Sequence, residues 1–198
     1  MGDPPRSPLE RIQLERIQED LERLSRLCGR LLLLAWLDRQ ARDASLFDER
    51  VDLEAVVSDL VEEMAPLACD RGVSLRRDTT SAAPVRGSQP LLVEALLNLL
   101  DNAIRYTPKG GSVAVSIDVN GGAVRVSVAG GGPGIPPAER ERIFEPPRSP
   151  AGGTDDGSGL GLAIVRGIAR AHGGGVELDE APGGGSIFRL VLPAHPAS

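Results

Sequence analysis

Two runs of alternating apolar and polar residues constrain the fold of this chain more than any other feature of its sequence. The runs are SVAVSIDV at 112–119 and AVRVSVA at 123–129, joined by Asn120, Gly121 and Gly122. A period of two places one face of each strand in a core, and an Asn-Gly pair supplies the positive φ angles of a tight turn. These residues predict a β-hairpin within an antiparallel sheet that must be covered on one face.

Helical and extended patterns around the hairpin predict the rest of this domain. After a polar connection at 43–53, amphipathic stretches alternate with short apolar runs, and a short helix rich in Glu and Arg follows Pro137. The main predicted helices cover 53–70, 89–107 and 160–171, and the other predicted strands cover 72–79, 174–181 and 186–193. This order predicts an α+β fold, a two-layer α/β sandwich with helices on one face of a mixed, mostly antiparallel sheet.

One long helix precedes this domain. Residues 9–42 contain no proline and a single glycine, Gly29, and would extend roughly 50 Å. Seven residues at spacings of three and four give the a/d pattern of a coiled coil or helical bundle: Leu14, Ile17, Leu21, Leu24, Cys28, Leu31 and Ala35. The apolar stripe broadens beyond Arg30, so that one partner helix cannot cover it. This favours self-association in a bundle over packing against the second domain. We therefore divide the chain into a helical segment that is expected to self-associate, 1–45, and a second domain, 46–195.

Charge and composition exclude several classes of partner. A net charge of −6 argues against nucleic acid or an anionic membrane surface. The longest apolar run, 31–37, is too short for direct membrane insertion, and no signal peptide opens the chain, so a cytoplasmic location is expected. The cytoplasmic part of a larger membrane protein would look the same. Cys28 and Cys69 lie far apart and near no His cluster, which argues against a zinc site or a disulfide framework.

Three glycine-rich turns, after Val128, Asp156 and Pro182, are the first candidates for a ligand site. The second opens a helix, whose free N–H groups and dipole suit phosphate oxygens, although tight connections alone would also use glycine. The sequence lacks a P-loop, a Rossmann fingerprint and a G-x-S-x-G elbow. A polar loop at 146–159 is either a functional lid or disordered.

The helix before the hairpin carries a second candidate cluster. Asn98 and Asn102 are four residues apart and share one helix face, and Arg105 and Tyr106 follow at the same end. Buried amides require hydrogen-bonding partners, so a ligand site explains this cluster better than packing does. The alternative is a polar helix face turned to water.

Taken together, these motifs identify a family. The segments that carry the resemblance are NLLDNAIRYTP at 98–108, GGGPGIP at 130–136, IFEP at 143–146, GSGLGLAIV at 157–165, HGGGVEL at 172–178 and GGGSIFRLVLP at 183–193. In order and spacing they resemble the N, G1, F, G2 and G3 boxes of bacterial sensor histidine kinases. These belong to the GHKL ATPase superfamily, with gyrase, Hsp90 and MutL. Residues 15–38 resemble the second helix of the kinase dimerisation domain.

The resemblance implies ATP and Mg²⁺ as ligands. Asn98, Asn102 and Arg105 would be the catalytic set, with Asn102 holding Mg²⁺, Asn98 supporting it and Arg105 contacting phosphate. Tyr106 would lie along the adenine. The implied nucleotide-binding residues are Asn98, Asn102, Arg105, Tyr106, Gly130, Gly132, Gly134, Ile135, Gly157, Ser158, Gly159, Leu160, Gly161, Leu162 and Ser186.

The implied reaction is transfer of the γ-phosphoryl group of ATP to a histidine, from which an aspartate of a response regulator receiver domain would take it. Asn98 stands where the hydrolytic relatives carry a Glu that activates water. Because an amide cannot act as a general base, Asn98 favours a kinase over an ATPase.

The chain departs from the family pattern at three places. Gly130 occupies the position of the Asp that accepts the adenine amino group, and Pro147 replaces the second aromatic residue of the F box. No phosphoacceptor is recognisable, because PPRSPL at 4–9 only superficially resembles the tail of the histidine box and Asp3 occupies the histidine place. His172 belongs to a glycine turn and is expected to be structural, and His195 lies in a tail.

Three interpretations follow. The first is the catalytic part of a histidine kinase with a weakened adenine site, acting as a homodimer on a histidine in a separate protein or in a first dimerisation helix outside this segment. The second is a degenerate pseudokinase, a dimeric interaction or phosphotransfer scaffold without ATP turnover. The third is an active kinase altered at Gly130, since Asp and Gly codons differ by one base.

Overall fold

The computed structural model describes residues 8–40, 48–78, 82–146 and 159–195. These residues contain four α-helices and seven β-strands. The helices are α1 (Pro8–Gln40), α2 (Leu53–Asp70), α3 (Gln89–Tyr106) and α4 (Gly161–Ala171). The strands are β1 (Glu49–Asp52), β2 (Ser74–Arg77), β3 (Pro84–Gly87), β4 (Ser112–Asn120), β5 (Ala123–Gly130), β6 (Gly175–Glu180) and β7 (Ser186–Pro193).

The predicted hairpin forms the centre of a five-stranded sheet. Its strand order is β2-β4-β5-β7-β6, in which β2 and β4 are parallel and all other neighbours are antiparallel. The turn differs from the prediction in one detail. Asn120 pairs with Ala123 as the last step of the ladder, so Gly121 and Gly122 supply the positive φ angles, 59° and 75°.

Alternate side chains of the central strands form one face of the core. Val113, Val115, Ile117, Val124, Val126, Val128, Phe188, Leu190 and Leu192 are all buried. Helices α2, α3 and α4 cover this face, and α3 alone contributes seven buried residues. The predicted α+β sandwich with a mostly antiparallel sheet is confirmed.

Two short strands were not predicted from the sequence. Strands β1 and β3 form a separate antiparallel pair, where the sequence predicted a polar connection and no strand respectively. Each strand has four residues and one fully buried aliphatic side chain, Val51 or Val85, which gives too few positions for a periodicity. Asp52 ties the pair to α2, because its carboxylate accepts from the N–H groups of Glu54 (3.1 Å) and Ala83 (3.0 Å).

The segment after the first glycine turn is also different from the prediction. Instead of a short α-helix, it forms two 3₁₀ turns, Pro137–Glu139 and Arg142–Phe144. Pro136 and Pro137 stand at the N-cap and the first position of the first of these turns, where proline costs no helical hydrogen bond. Phe144 anchors the segment, since its ring packs edge-on against Phe188 with centroids 6.2 Å apart.

Helix α1 presents two surfaces. Near its end, Leu37 is buried and lies against Gly167 of α4, together with Leu34. The predicted stripe is exposed, from Leu14 at 39% to Leu21 at 60%. The helix therefore packs against its own domain through residues outside the predicted stripe, and the preference for self-association applies to the stripe alone. No helix in the described ranges combines the length and apolar character needed to cross a membrane.

Candidate nucleotide-binding site

A cavity of about 260 Å³ opens where the end of α3, the end of β5 and the starts of α4 and β7 meet. Eight of the residues expected to bind nucleotide line it: Asn102, Tyr106, Gly130, Gly132, Gly134, Ile135, Leu162 and Ser186. Five lining residues were not predicted: Ala103, Thr107, Pro133, Ile143 and Phe188. Ala103 and Thr107 could have been found, because they follow Asn102 by one and five positions on a helix already assigned to the site. Phe188 is distant in sequence, and only the strand pairing brings it close.

The first glycine turn passes very close to the end of α3. A β-carbon at Gly132 would lie 3.1 Å from the carbonyl oxygen of Tyr106, so a side chain there would press on the helix backbone. Gly134 has a φ of +76°, a conformation that residues with a side chain rarely adopt. The glycines at 132 and 134 thus allow the turn to pass close to α3 beside the cavity.

Asn98 lies beside the cavity and faces the start of α4. Its Nδ2 donates to the carbonyl of Glu94 (2.7 Å) and to Oε1 of Glu94 (3.0 Å), which orients its amide. The oxygen Oδ1 lies only 2.7 Å from the place a β-carbon of Gly161 would occupy. A side chain at Gly161 would therefore fill the space in front of this oxygen.

The start of α4 offers N–H donors. The first hydrogen bond of this helix runs from Ile164 N–H to Leu160 O (2.9 Å), so the N–H groups of residues 161–163 have no partner within the helix. The side chain of Leu160 is buried in the core, which leaves only its backbone to meet a ligand. Gly159 has a φ of +66° and precedes the helix. Gly157, Ser158, Pro147 and most of the expected lid lie outside the described residues.

Only some of the polar residues at the end of α3 line the cavity. Asn102 and Tyr106 line the cavity, and Tyr106 is 58% exposed. Arg105 is half-buried and does not line it. Oxygen atoms suit Mg²⁺, and the amides of Asn98 and Asn102 fit an ion that would take its other oxygens from phosphates and water. Within the described ranges no group of three or more His, Cys, Asp or Glu residues could hold a metal alone.

His172 has a structural environment. It is buried, its Nδ1 donates to Ile168 O (2.8 Å), and its Nε2 accepts from Ser88 N–H (3.0 Å). Because a backbone N–H can only donate, the second bond fixes the neutral Nδ1–H tautomer. Burial lowers the pKa of His172, and the bond to Ile168 opposes this shift in part. Both ring nitrogens are thus engaged within the domain.

Position 130 lies in the wall of the cavity. A β-carbon added to Gly130 would be 3.0 Å from Oγ1 of Thr107 and 3.5 Å from the carbonyl oxygen of Ala103. Oγ1 of Thr107 is the one buried side-chain polar atom in the described part of the chain without a hydrogen-bonding partner. A residue with a side chain at 130 would therefore contact this hydroxyl directly.

Comparison with known proteins assigns the family. Residues 87–196 match the family described as histidine kinase-, DNA gyrase B- and HSP90-like ATPase. The structure of a mycobacterial sensor histidine kinase, MprB, superposes with a TM-score of 0.66 at 34% identity, covering 76% of this chain and 99% of that one. The chain belongs to the sensor histidine kinases.

Longer proteins also match most of the chain. SenX3 of Mycobacterium tuberculosis is 37% identical over 186 residues, which cover 91% of this histidine kinase chain and 44% of SenX3. The full-length structure of ShkA in complex with AMPPNP superposes with a TM-score of 0.82 at 31% identity, over 98% of this chain and 41% of ShkA. The chain thus spans about half the length of the curated relatives it matches. The domain at 87–196 is an ATP-binding domain of the histidine kinase type.

Proposed function

We propose that this histidine kinase chain binds Mg²⁺-ATP in the cavity between α3 and α4 and transfers the γ-phosphoryl group to a histidine side chain. The observation that carries the proposal is a largely apolar cavity beside the first N–H groups of α4, which have no partner within that helix, and beside the amides of Asn98 and Asn102. An apolar wall suits a purine, and N–H donors at a helix start suit phosphates. ShkA, which superposes over nearly the whole chain, was solved with AMPPNP.

Each group has a separate task in this proposal. The amide oxygen of Asn102 would hold Mg²⁺, with Asn98 supporting it, and the ion would supply positive charge that neutralises the phosphates. The N–H groups at the start of α4 and the glycines at 157, 159 and 161 hold phosphate oxygens, while Arg105 adds a positive charge. Tyr106 covers one face of the base. Catalysis by such a site comes from positioning and charge neutralisation rather than from a general base.

The partners follow from the family and from α1. The exposed a/d stripe forms a homodimer, and the acceptor histidine is on a separate protein or on a first dimerisation helix outside this segment. A response regulator receiver domain then takes the phosphoryl group to an aspartate. We place this reaction in the cytoplasm, where ATP is available.

Gly130 weakens the adenine site in this proposal. A carboxylate that accepts from the adenine amino group contributes about 1.5–3 kcal/mol, which is roughly 10- to 150-fold in affinity. Glycine provides no such acceptor. The same observation favours the second candidate function, a pseudokinase that acts as a dimeric interaction or phosphotransfer scaffold without turnover of ATP.

Calorimetric titration with ATP and ADP, with and without Mg²⁺, tests the proposal. We expect Mg²⁺-dependent binding of ATP, about 10- to 150-fold tighter in Gly130→Asp and strongly weakened in Asn102→Ala. Asp101→Ala is the matched control, because Asp101 is exposed on α3 beside Asn102 and should leave the affinity unchanged. Failure of both the wild type and Gly130→Asp to bind would contradict the proposal and support the scaffold.

A further inference from the structure

The hydroxyl group of Thr107 is buried in the cavity wall without a partner. Thr107 is 6% exposed, it lines the cavity, and Oγ1 finds no hydrogen-bonding protein group among the described residues. Buried polar atoms nearly always have a hydrogen-bonding partner. In a binding site, a buried polar atom without a protein partner commonly bonds to a ligand or a water molecule. This atom is therefore a candidate for contact with the bound nucleotide.

The local sequence explains why the hydroxyl lies there. Thr107 follows the last residue of α3 and has an extended backbone (ψ 126°), because the α conformation is disfavoured before Pro108. A side chain at Gly130 would contact its Oγ1, at 3.0 Å from the β-carbon. Gly130 itself pairs with Ser186 at the end of strand β5, so its conformation does not require glycine. The absent side chain leaves Thr107 as the nearest side-chain hydrogen-bonding group at this point of the wall.

We propose that Thr107 recognises the substituent at position 6 of the purine, and that this site accepts 6-oxo as well as 6-amino purine nucleoside triphosphates. The inference rests on the proposed function, because it assumes that a purine enters this cavity. An ionised carboxylate only accepts hydrogen bonds, so it selects an amino group and rejects a carbonyl. A threonine hydroxyl donates or accepts, and therefore serves both.

A water molecule can extend the reach of this hydroxyl. The volume of the missing carboxylate is large enough for about one water molecule. At the place of the absent β-carbon, such a water would lie 3.0 Å from Thr107 Oγ1 and 3.5 Å from Ala103 O, which provides two polar partners besides the base. A water donates and accepts as readily as the hydroxyl does, so a bridged contact gives the same tolerance.

Calorimetry with the Mg²⁺ complexes of ATP, ITP and the triphosphate of unsubstituted purine riboside tests the inference. ITP differs from ATP at position 6 without adding the 2-amino group of guanine. For the wild type we expect ATP and ITP affinities within about 10-fold of each other, and both tighter than that of the unsubstituted purine. In Gly130→Asp the preference for ATP over ITP should exceed about 100-fold.

Variants of Thr107 separate recognition from structure. Thr107→Val keeps the shape, and it should weaken ATP and ITP by about 3- to 10-fold. In the nucleotide-free protein the same variant should raise Tm by about 2–4 °C, because it removes an unpaired buried hydroxyl. Thr107→Ser retains a hydroxyl and should bind both nucleotides as the wild type does.

These measurements distinguish a failure of Thr107 recognition from a failure of nucleotide binding as a whole. Wild-type preference for ATP over ITP beyond about 100-fold, or unchanged affinities in Thr107→Val, would overturn the inference and leave the proposed function intact. If neither the wild type nor Gly130→Asp binds any triphosphate, the proposed function fails and the inference fails with it.

Discussion

At the scale of single residues, His172 joins three parts of the domain. Its ring bonds to the carbonyl of Ile168 in α4 and to the N–H of Ser88, the residue before α3. It also lies against Gly87 of β3, where a β-carbon would be 2.4 Å from Cδ2 of the ring. The ring of His172 therefore leaves no room for a side chain at position 87, and its bond from Ser88 N–H requires the ring to be neutral.

This environment makes stability depend on pH. Because the folded pKa of His172 is below its ordinary value of 6.5, the unfolded chain takes up the proton first as pH falls. Stability is thus full above about pH 6.5 and falls as pH decreases from there toward the folded pKa. We expect His172→Asn to cost about 1–3 kcal/mol at pH 7.5 and to flatten this decline.

Urea denaturation at several pH values between about 5.5 and 7.5 measures the effect, a range above the usual titration of carboxylates. His195→Asn is the matched control, since it leaves the buried ring in place and should keep the wild-type slope. An unchanged slope in His172→Asn would show that other groups cause the pH dependence.

Residues also show where sequence reasoning stops. Asn102, Tyr106 and the glycines of the first turn could be assigned to a site because their types recur in an ordered set of motifs, and they do line one cavity. The orphan hydroxyl of Thr107 could not be predicted, because it depends on the end of α3 meeting the end of β5. Contacts between distant segments leave no local pattern in the sequence.

At the scale of elements, the end of α1 belongs to the same hydrophobic core as α4. Leu37 is 2% exposed and its side chain contacts Gly167 in α4, the helix whose start faces Asn98. Glycine at 167 permits this close approach, since a β-carbon there would lie 3.1 Å from Cδ1 of Leu37. The docking of α1 thus includes a large residue, Leu37, that fits against a small one, Gly167, with Leu34 beside them.

Leu37→Ala should lower the free energy of unfolding by about 2–5 kcal/mol, because it leaves a cavity between α1 and α4. Leu32→Ala is the control on the same helix, because Leu32 is 71% exposed and outside the stripe, and the expected change is within about 0.5 kcal/mol. Urea denaturation at low protein concentration measures both. Equal losses in the two variants would contradict the docking of α1 on α4.

The elements were predictable to the extent that their patterns are long. The 18 residues of α2 and of α3 begin and end close to the predicted bounds. Asp52 caps the start of α2, and prolines at 90 and 108 mark the ends of α3. Strands β1 and β3 have four residues each and form only through their pairing with one another. Two 3₁₀ turns lie where a short helix was expected, so a composition rich in Glu and Arg does not by itself decide between the two kinds of turn.

At the scale of the whole molecule, the exposed stripe of α1 determines the expected assembly. Ile17, Leu21 and Leu24 are each more than half exposed. Three large aliphatic side chains on one helix face would remain in contact with water unless a second helix covers them. A second copy of the chain, presenting the same stripe, fits the heptad spacing.

We expect Leu24→Glu to convert a dimer into a monomer, because a dimer would bury two carboxylates in the seam between its helices. Light scattering combined with size-exclusion chromatography measures the mass. Arg16→Glu introduces the same side chain at an exposed position off the stripe and should leave the dimer intact. A wild-type protein that is monomeric at high concentration would contradict the homodimer.

The chain contains one tryptophan and one tyrosine, and the fold separates them. Trp36 lies on α1 and is 37% exposed, whereas Tyr106 lines the cavity. Light that only indole absorbs therefore reports on the surroundings of α1 alone, without any label. The docking of the end of α1, where Leu37 follows Trp36, can thus be observed separately from the cavity.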